Sequence, residues 1–254
     1  MRRVVFNQKG GVGKSTITCN LAAVSALRGQ RTLVIDLDAQ CNSSQYLLGD
    51  QFSNVTTSIA DFFEATLARM GKPKLGDHVT RTAYENLDII AAHPDLESLQ
   101  PKLESRYKIY KLRDSLLKLM DSYDQVFIDT PPALNFYARS ALIAAEKCLI
   151  PFDCDDFARQ ALYTLLDNIS EIQGDHNDDL EVEGIVVNQF QARSKLPQRI
   201  VEELVSEGLP VLNTKLSSSV VIKESHDRSM PVVMMDPKHK LSLEFTALFD
   251  DLKG

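Results

Sequence analysis

Three glycines and a following serine, close together near the start of the chain, could bind an anion. They belong to residues 7–16, NQKGGVGKST, which follow a short apolar run directly. Because glycine has no Cβ, the backbone N–H groups around Gly10, Gly11 and Gly13 can turn toward one ligand. A helix that begins near Ser15 would direct the positive end of its dipole at the same ligand. A helix cap would explain one hydroxyl but not the whole set, so these residues predict a phosphate-binding loop.

The side chains of this loop have separate predicted roles. Lys14 would reach the β and γ phosphates of a nucleotide, and the Ser15 hydroxyl would bind Mg²⁺. The common pattern GxxxxGK[ST] would place a glycine at position 8, where this chain has Gln8, and a second lysine precedes Lys14 by five residues. The predicted nucleotide-binding residues of the loop are Lys9, Gly10, Gly11, Val12, Gly13, Lys14, Ser15 and Thr16.

Two further apolar runs end in acidic residues. Residues 33–35 precede Asp36 and Asp38, and residues 126–128 precede Asp129. Parallel strands bring their carboxyl ends to one edge of a sheet, which would place these acids beside the loop. A carboxylate there can orient an attacking water or hold the water shell of a metal ion. We predict Asp36 and Asp129 as metal-binding residues together with the serine of the loop, although an acid at a strand end can also be a turn or cap residue.

Short apolar runs alternate with helical patterns along the chain. Most of the runs are continuously apolar, which is typical of strands buried on both faces of a parallel sheet. The alternation predicts one doubly wound α/β domain, residues 1–254, with a mostly parallel central sheet flanked by helices on both faces. The predicted strands are 3–7, 32–36, 87–91, 125–129, 147–151, 184–188 and 209–212. The predicted helices are 15–28, 58–69, 107–120, 136–145, 159–172, 197–206 and 241–252.

Composition excludes several classes of protein. Hydrophobic residues make up 44% of the 254 residues and charged residues 25%, as in ordinary globular proteins. The cysteines are scattered without a CxxC pair, which argues against a zinc site or a disulfide framework and fits a reducing cytosol. No apolar run approaches the ~20 residues of a membrane span, and the start lacks a signal-peptide pattern. We therefore predict a cytoplasmic protein.

Together these motifs resemble those of the ParA/MinD family of P-loop ATPases. The loop KGGVGKS, with its extra Lys9, is similar to the family's deviant Walker A motif. Residues 36–42, DLDAQCN, are similar to the family pattern D-x-D-P-Q-x-N, with Ala39 in place of the proline and Cys41 in place of a common glycine. Residues 127–132, FIDTPP, resemble the family's apolar run followed by D-x-P-P. The resemblance extends over almost the whole chain.

This resemblance implies an ATPase with ATP and Mg²⁺ as cofactors that forms a homodimer when ATP is bound. A ParB-like protein or a cargo adaptor would stimulate its weak intrinsic hydrolysis. The implied catalytic residues are Lys9, which would cross the dimer interface to touch the partner's nucleotide, Lys14, and Asp38, which would position the hydrolytic water. The residues implied at the adenine base are Asn188, Pro231 and Asp236.

Three kinds of function stay open. The chain could be a ParA-like switch that rides on nucleoid DNA and positions a chromosome, a plasmid or a protein cluster. It could be a MinD-like ATPase at a membrane, but residues 241–252 carry three acids on their amphipathic pattern, which disfavours an anionic lipid surface. It could be a metabolic or signalling enzyme, but there is no C-terminal tyrosine cluster, and residues 129–136 contain no cysteine for an iron–sulfur cluster.

DNA binding would depend on a local basic patch, because the net charge of the chain is −7. Residues 191–240 contain 8 Lys and Arg against 6 Asp and Glu, a local charge of +2. This excess predicts nonspecific, ATP-dependent DNA contacts through Arg193, Lys195 and Lys223, with a solvated surface as the alternative. The prediction extends the location of the protein from the cytoplasm to the nucleoid.

Overall fold

The computed structural model describes residues 1–68, 73–154 and 158–252. The strands in these ranges are β1 (Arg2–Val5), β2 (Thr32–Asp36), β3 (Thr80–Arg81), β4 (Leu87–Ile90), β5 (Gln125–Asp129), β6 (Lys147–Asp153) and β7 (Glu181–Asn188). The helices are α1 (Lys14–Leu27), α2 (Asn42–Leu48), α3 (Ile59–Leu67), α4 (Leu96–Ser105), α5 (Lys111–Leu116), α6 (Phe136–Ala144), α7 (Ala158–Asp175), α8 (Lys195–Ser206), α9 (Val221–Asp227), α10 (Val232–Met235) and α11 (Lys240–Asp251). Short 3-10 turns lie at Gly49–Asn54, Leu75–His78 and Met120–Ser122.

The strands form one sheet in the order β3-β4-β2-β5-β1-β6-β7. Every pair is parallel except β3 with β4, which is antiparallel. In the register of the central strands, Asp129 lies opposite Val5 on one side and opposite Asp36 on the other. The predicted doubly wound α/β fold is therefore confirmed, and the two acids lie level with the end of β1, where the glycine-rich loop begins.

Helices cover both faces of the sheet because successive strand residues point in opposite directions. Val4 and Leu33 pack in the hydrophobic cluster on one face, and Val5 and Val34 pack in the cluster on the other. All four side chains are fully buried. Burial on both faces is the physical reason why these strands are continuously apolar in sequence.

Several predicted elements differ from the structure. The predicted helix 107–120 is reduced to α5, because Tyr107 has a left-handed backbone with φ 52° and ends the preceding turn. The predicted strand 209–212 forms only an isolated parallel bridge between Val211 and Ile185, since the proline at position 210 has no N–H to donate. The predicted helix 58–69 ends at Leu67, and its last residue, Arg69, lies outside the described residues.

Four helices were not predicted. They are α2, α4, α9 and α10. Three of them have seven residues or fewer, too short for a helical period to stand out in the sequence. The fourth, α4, has Pro101 inside it, which sequence reasoning takes as a helix breaker.

Candidate functional site

The glycine-rich loop joins the carboxyl end of β1 to the start of α1. Gly11 and Gly13 have φ values of 75° and 89°, in the left-handed region that favours glycine. Gly13 precedes the first residue of α1, and a Cβ at this position would lie 2.3 Å from the Nδ2 atom of Asn188. The backbone conformation therefore requires glycine at position 13, and a Cβ there would also displace the Asn188 amide.

Lys14 is held inside this loop. Its side chain is 7% exposed, and its Nζ atom donates to the main-chain oxygen of Lys9 at 3.0 Å. Burial lowers the pKa of the Lys14 amine, and the nearby carboxylates of Asp129 and Asp38 oppose that shift. The amine thus faces the acidic ends of β2 and β5 from across the loop.

Asp36, at the end of β2, is fully buried and accepts three hydrogen bonds. Ser44 donates to one carboxylate oxygen from its N–H at 2.9 Å and from its hydroxyl at 2.7 Å, and the Asp38 N–H donates to the other at 3.1 Å. Burial raises the pKa of Asp36, repulsion from Asp129 raises it further, and the hydrogen bonds from Ser44 oppose the shift. The carboxylate is oriented by its own loop and by the first turn of α2.

Asp129, at the end of β5, is also fully buried. The Ser43 hydroxyl donates to one of its oxygens at 2.7 Å, and the Thr130 N–H donates to the other at 3.0 Å. Burial raises the pKa of Asp129, while hydrogen bonds from Ser15 and Ser43 and the charge of Lys14 oppose the shift. Ser15 and Asp129, both predicted as metal-binding residues, are therefore in direct contact.

Asp38 lies just beyond the end of β2 and is 7% exposed. One of its oxygens accepts from the Gln40 N–H at 3.0 Å, so the loop after β2 holds the side chain. In the same loop Cys41 has φ 57°, a left-handed conformation that glycine adopts without strain. This conformation gives a physical reason for the glycine that the family pattern often has at this position.

The chemistry of these side chains suits a hard cation that is shared with phosphate. Mg²⁺ prefers oxygen ligands, keeps several waters, and is usually bound by one or two carboxylates together with substrate phosphates. Ser15, Asp36 and Asp129 offer such oxygens beside the loop. Within the described ranges, no group of three or more His, Cys, Asp or Glu side chains could hold a metal ion.

A cavity of about 250 Å³ opens on the outer side of the loop. The Asn188 side chain donates to the Val12 main-chain oxygen at 2.9 Å and so attaches the end of β7 to the loop. Pro231 and Asp236 do not line the cavity; they flank α10, which packs against α1 and α11. The lining residues are Gly11, Gly13, Thr16, Asn188, Gln189, Ser217, Ser218, Ser219, Ile222, Lys223, Leu241 and Phe245.

The structure brings most of the predicted site residues together but separates others. The serines at positions 217–219 line the cavity and were not predicted; three consecutive small polar residues before an apolar stretch were the available signal. Of the predicted DNA contacts, Lys223 lines the cavity, whereas Arg193 and Lys195 are exposed around the start of α8. Among the described helices, none has the length and hydropathy needed to cross a membrane.

Known proteins share this sequence and this fold. A family model described as "AAA domain" matches residues 3–182. The chain is 34% identical to the chromosome partitioning protein ParA of Myxococcus xanthus over 250 residues, which are 98% of this chain and 86% of that protein. It is 25% identical to cobyrinic acid a,c-diamide synthase from Mycobacterium smegmatis with bound ATP analog and magnesium, with a TM-score of 0.82 over 98% of this chain and 93% of the other.

The fold is also that of the cell division ATPase MinD from Pyrococcus furiosus. The two chains are 22% identical with a TM-score of 0.77, over 99% of this chain and 98% of the other. The sequence match to ParA covers 98% of this chain. This chain also has the glycine-rich loop, the strand-end acids and the mostly parallel sheet described above. The chain therefore belongs to the ParA/MinD family of P-loop ATPases.

Proposed function

We propose that residues 1–254 form one Mg²⁺-dependent ATPase domain that dimerises with ATP and positions a chromosome, a plasmid or a protein cluster in the cell. One observation carries the proposal: the buried Lys14 amine, inside a glycine-rich loop, lies near the carboxylates of Asp129 and Asp38, and Asp36 lies opposite Asp129 at the same sheet edge. This arrangement combines phosphate-binding N–H groups, a cation and metal ligands in one place. The 34% identity to a chromosome partitioning protein supports the positioning role.

The residues divide the chemistry among them. The loop N–H groups and Lys14 bind the β and γ phosphates, and neutralise the charge that develops on them during hydrolysis. Ser15, Asp36 and Asp129 would hold Mg²⁺, which would supply positive charge against the phosphates. Asp38 orients the attacking water, because its carboxylate lies at the same edge and is held by its loop.

Lys9 supplies the link to dimerisation. Its backbone is used by the loop, since its N–H donates to Asn7 Oδ1 at 2.9 Å and its carbonyl accepts from Lys14. The residue is exposed, so its side chain lies on the outer surface of the loop. We propose that the Lys9 amine reaches the nucleotide of a second copy. A contact made only while the γ phosphate is present would shift the monomer–dimer equilibrium with the nucleotide state.

Two substitutions test this switch. Asp38→Ala is expected to block hydrolysis without weakening ATP binding, so the variant accumulates as an ATP-bound dimer of twice 28.4 kDa. Lys9→Ala is expected to bind ATP but to stay monomeric, and the unmodified protein is expected to be mainly monomeric with ADP. Size exclusion with light scattering measures all three, with Mg-ATP for the two variants and with Mg-ADP for the unmodified protein.

The control for the charge change is Lys111→Ala, which removes an exposed lysine on α5. It is expected to behave as the unmodified protein. Normal hydrolysis in Asp38→Ala would remove the water-orienting role. A Lys9→Ala protein that dimerises as well as Asp38→Ala would show that Lys9 is only a solvated lysine of the loop.

A metabolic enzyme is the second candidate, favoured by the likeness to the diamide synthase. In this second function, ATP turnover would serve the conversion of a small molecule and not a nucleotide-dependent dimer. ATP turnover that requires a small-molecule acceptor, together with a mass that does not depend on nucleotide, would support this second function over the positioning switch.

A further inference from the structure

One side chain from a distant part of the chain contacts the phosphate loop and has no role in the chemistry above. His226, in α9, places its Nε2 atom 3.0 Å from the Thr16 hydroxyl oxygen, although 210 residues separate the two. Thr16 lines the cavity beside Gly11 and Gly13. Its hydroxyl therefore lies where a nucleotide bound to the loop would be.

The His226 ring is held in a fixed plane. It stacks on the Tyr46 ring with centroids 4.2 Å apart and an angle of 11° between the planes. Tyr46 is 2% exposed, and its hydroxyl lies 2.8 Å from the Ser225 hydroxyl and 3.3 Å from the Asn20 amide. The Asn20 amide also donates to the Thr16 main-chain oxygen at 2.9 Å. Both partners of the Thr16–His226 contact are thus anchored to the same tyrosine.

The direction of the hydrogen bond depends on which imidazole nitrogen carries the proton. Partial burial of the ring lowers the pKa of His226, and Asp227 opposes this shift, so the imidazole is neutral near pH 7. A neutral imidazole with its proton on Nε2 donates to Thr16 and leaves the Thr16 proton for another acceptor.

We propose that His226 donates from Nε2 to Thr16 Oγ1 and thereby makes the Thr16 hydroxyl a hydrogen-bond donor to a phosphate oxygen of the bound nucleotide. The inference rests on the proposed nucleotide site and adds a positioning residue to it. Phosphate oxygens only accept hydrogen bonds, so a hydroxyl with a fixed donor direction suits them. Chains of hydrogen bonds also strengthen one another.

A double-mutant cycle on ADP affinity tests this relay, the hydrogen bonds from His226 through the Thr16 hydroxyl to a phosphate oxygen. His226→Ala is expected to raise the Kd for Mg-ADP about two- to tenfold, the effect of one net hydrogen bond. Thr16→Val keeps the shape of the side chain, removes the hydroxyl, and is expected to have a similar effect. Because His226 acts through that hydroxyl, adding His226→Ala to Thr16→Val is expected to change the Kd no further. Isothermal titration calorimetry measures all four proteins.

A conservative variant separates positioning from packing. In His226→Gln the side-chain amide nitrogen can take the place of Nε2, so the Kd is expected to return close to that of the unmodified protein. The matched control is His176→Ala, which breaks another histidine–tyrosine contact, 2.8 Å from Nδ1 to the Tyr110 hydroxyl, in a different part of the molecule. It is expected to leave the Kd unchanged.

Three outcomes would overturn the relay. The first is an unchanged Kd in His226→Ala, and the second is a full effect of His226→Ala in the Thr16→Val background, which would mean that His226 acts through packing. In either of these two cases, a large loss of ADP affinity in Lys14→Ala would still support the proposed nucleotide site. The third is a lack of ADP binding by the unmodified protein, which would remove the proposed function and the relay together.

Discussion

In the proposed function, phosphate binding depends most directly on Lys14, because its amine is buried in the loop. Charged hydrogen bonds contribute about 1.5–3 kcal/mol, so Lys14→Ala is expected to lower ATP affinity by about ten- to a hundredfold. Calorimetric titration with Mg-ATP measures the loss, and Lys111→Ala on α5 serves as the charge-matched control. Unchanged affinity in Lys14→Ala would contradict the assignment of the phosphate loop.

The buried carboxylates of Asp36 and Asp129 depend on hydrogen bonds from neighbouring serines. The Ser43 hydroxyl donates to one oxygen of Asp129, and the Ser44 hydroxyl donates to one oxygen of Asp36. Both carboxylates are fully buried. A buried carboxylate is costly unless it is hydrogen-bonded or bound to a metal ion. The two serines therefore reduce the cost of keeping acidic groups inside the sheet edge before any ligand arrives.

At the scale of elements, the short helix α2 contributes side chains to two parts of the site. It has seven residues, and it begins directly after the loop that carries Asp38. Its first turn supplies the serines to the buried acids, and its middle supplies Tyr46 to the α9 contact. One short helix thus joins the proposed metal-binding residues to α9, whose His226 contacts Thr16 at the wall of the proposed nucleotide cavity.

The starts of β2 and β5 are joined by an ion pair that makes stability depend on pH. Asp124 accepts from the Arg31 N–H at 2.8 Å and from the guanidinium, with 2.8 Å between Arg31 Nη2 and its other oxygen. Hydrogen bonds from Arg31 lower the pKa of Asp124 to about 2. Because the folded pKa lies below the unfolded value of 3.8, the stabilisation is present above pH 4 and is lost as the pH falls toward 2.

Asp124→Asn is therefore expected to lower the Tm at pH 7, and the gap to the unmodified protein is expected to narrow as the pH falls below 4. The pair is exposed, so added salt is expected to reduce the gap as well. Thermal melts over a pH series measure this difference in Tm, with Asp178→Asn on an exposed turn as the control. A gap of the same size at pH 2 and pH 7 would show that the Asp124 charge contributes nothing.

At the scale of the whole molecule, the proposed ATP-dependent DNA binding depends on a few exposed basic residues. Arg193 and Lys195 are exposed near the start of α8 and away from the cavity, so their removal is expected to weaken ATP-dependent DNA binding and leave hydrolysis intact. Lys223 is tested separately, because it lines the nucleotide cavity and its loss can change nucleotide affinity too. Adding Lys223→Ala to the other two is expected to abolish DNA binding.

Salt dependence distinguishes phosphate contacts from other effects. Each lost contact lowers the slope of log K against log salt by roughly 0.9, so Arg193→Ala with Lys195→Ala is expected to reduce it by roughly 1.8. Fluorescence anisotropy with a labelled duplex, ATP and Mg²⁺ measures the slope. Lys111→Ala with Lys118→Ala removes two lysines elsewhere as the control. An unchanged slope in the Arg193 and Lys195 variant would mean that these residues do not contact DNA.

Local patterns in the sequence determined the elements that carry the site. The glycine-rich loop predicted the strand–loop–helix unit, and the continuously apolar runs predicted a parallel sheet whose carboxyl ends would bring Asp36 and Asp129 together. These features depend on backbone sterics, burial on two faces and strand polarity, which a short stretch of sequence already expresses. The fold class followed from them, whereas short helices and the exact ends of elements did not.

Only the tertiary structure decided which distant side chains complete the site. Ser43 reaches Asp129 across 86 residues, Asn188 reaches Val12 across 176, and His226 reaches Thr16 across 210. Each contact depends on a few tenths of an ångström in side-chain position, which follows from how the helices pack on the sheet. Serine, asparagine and histidine also occur throughout ordinary turns and caps, so their type and local spacing carried no sign of these partners.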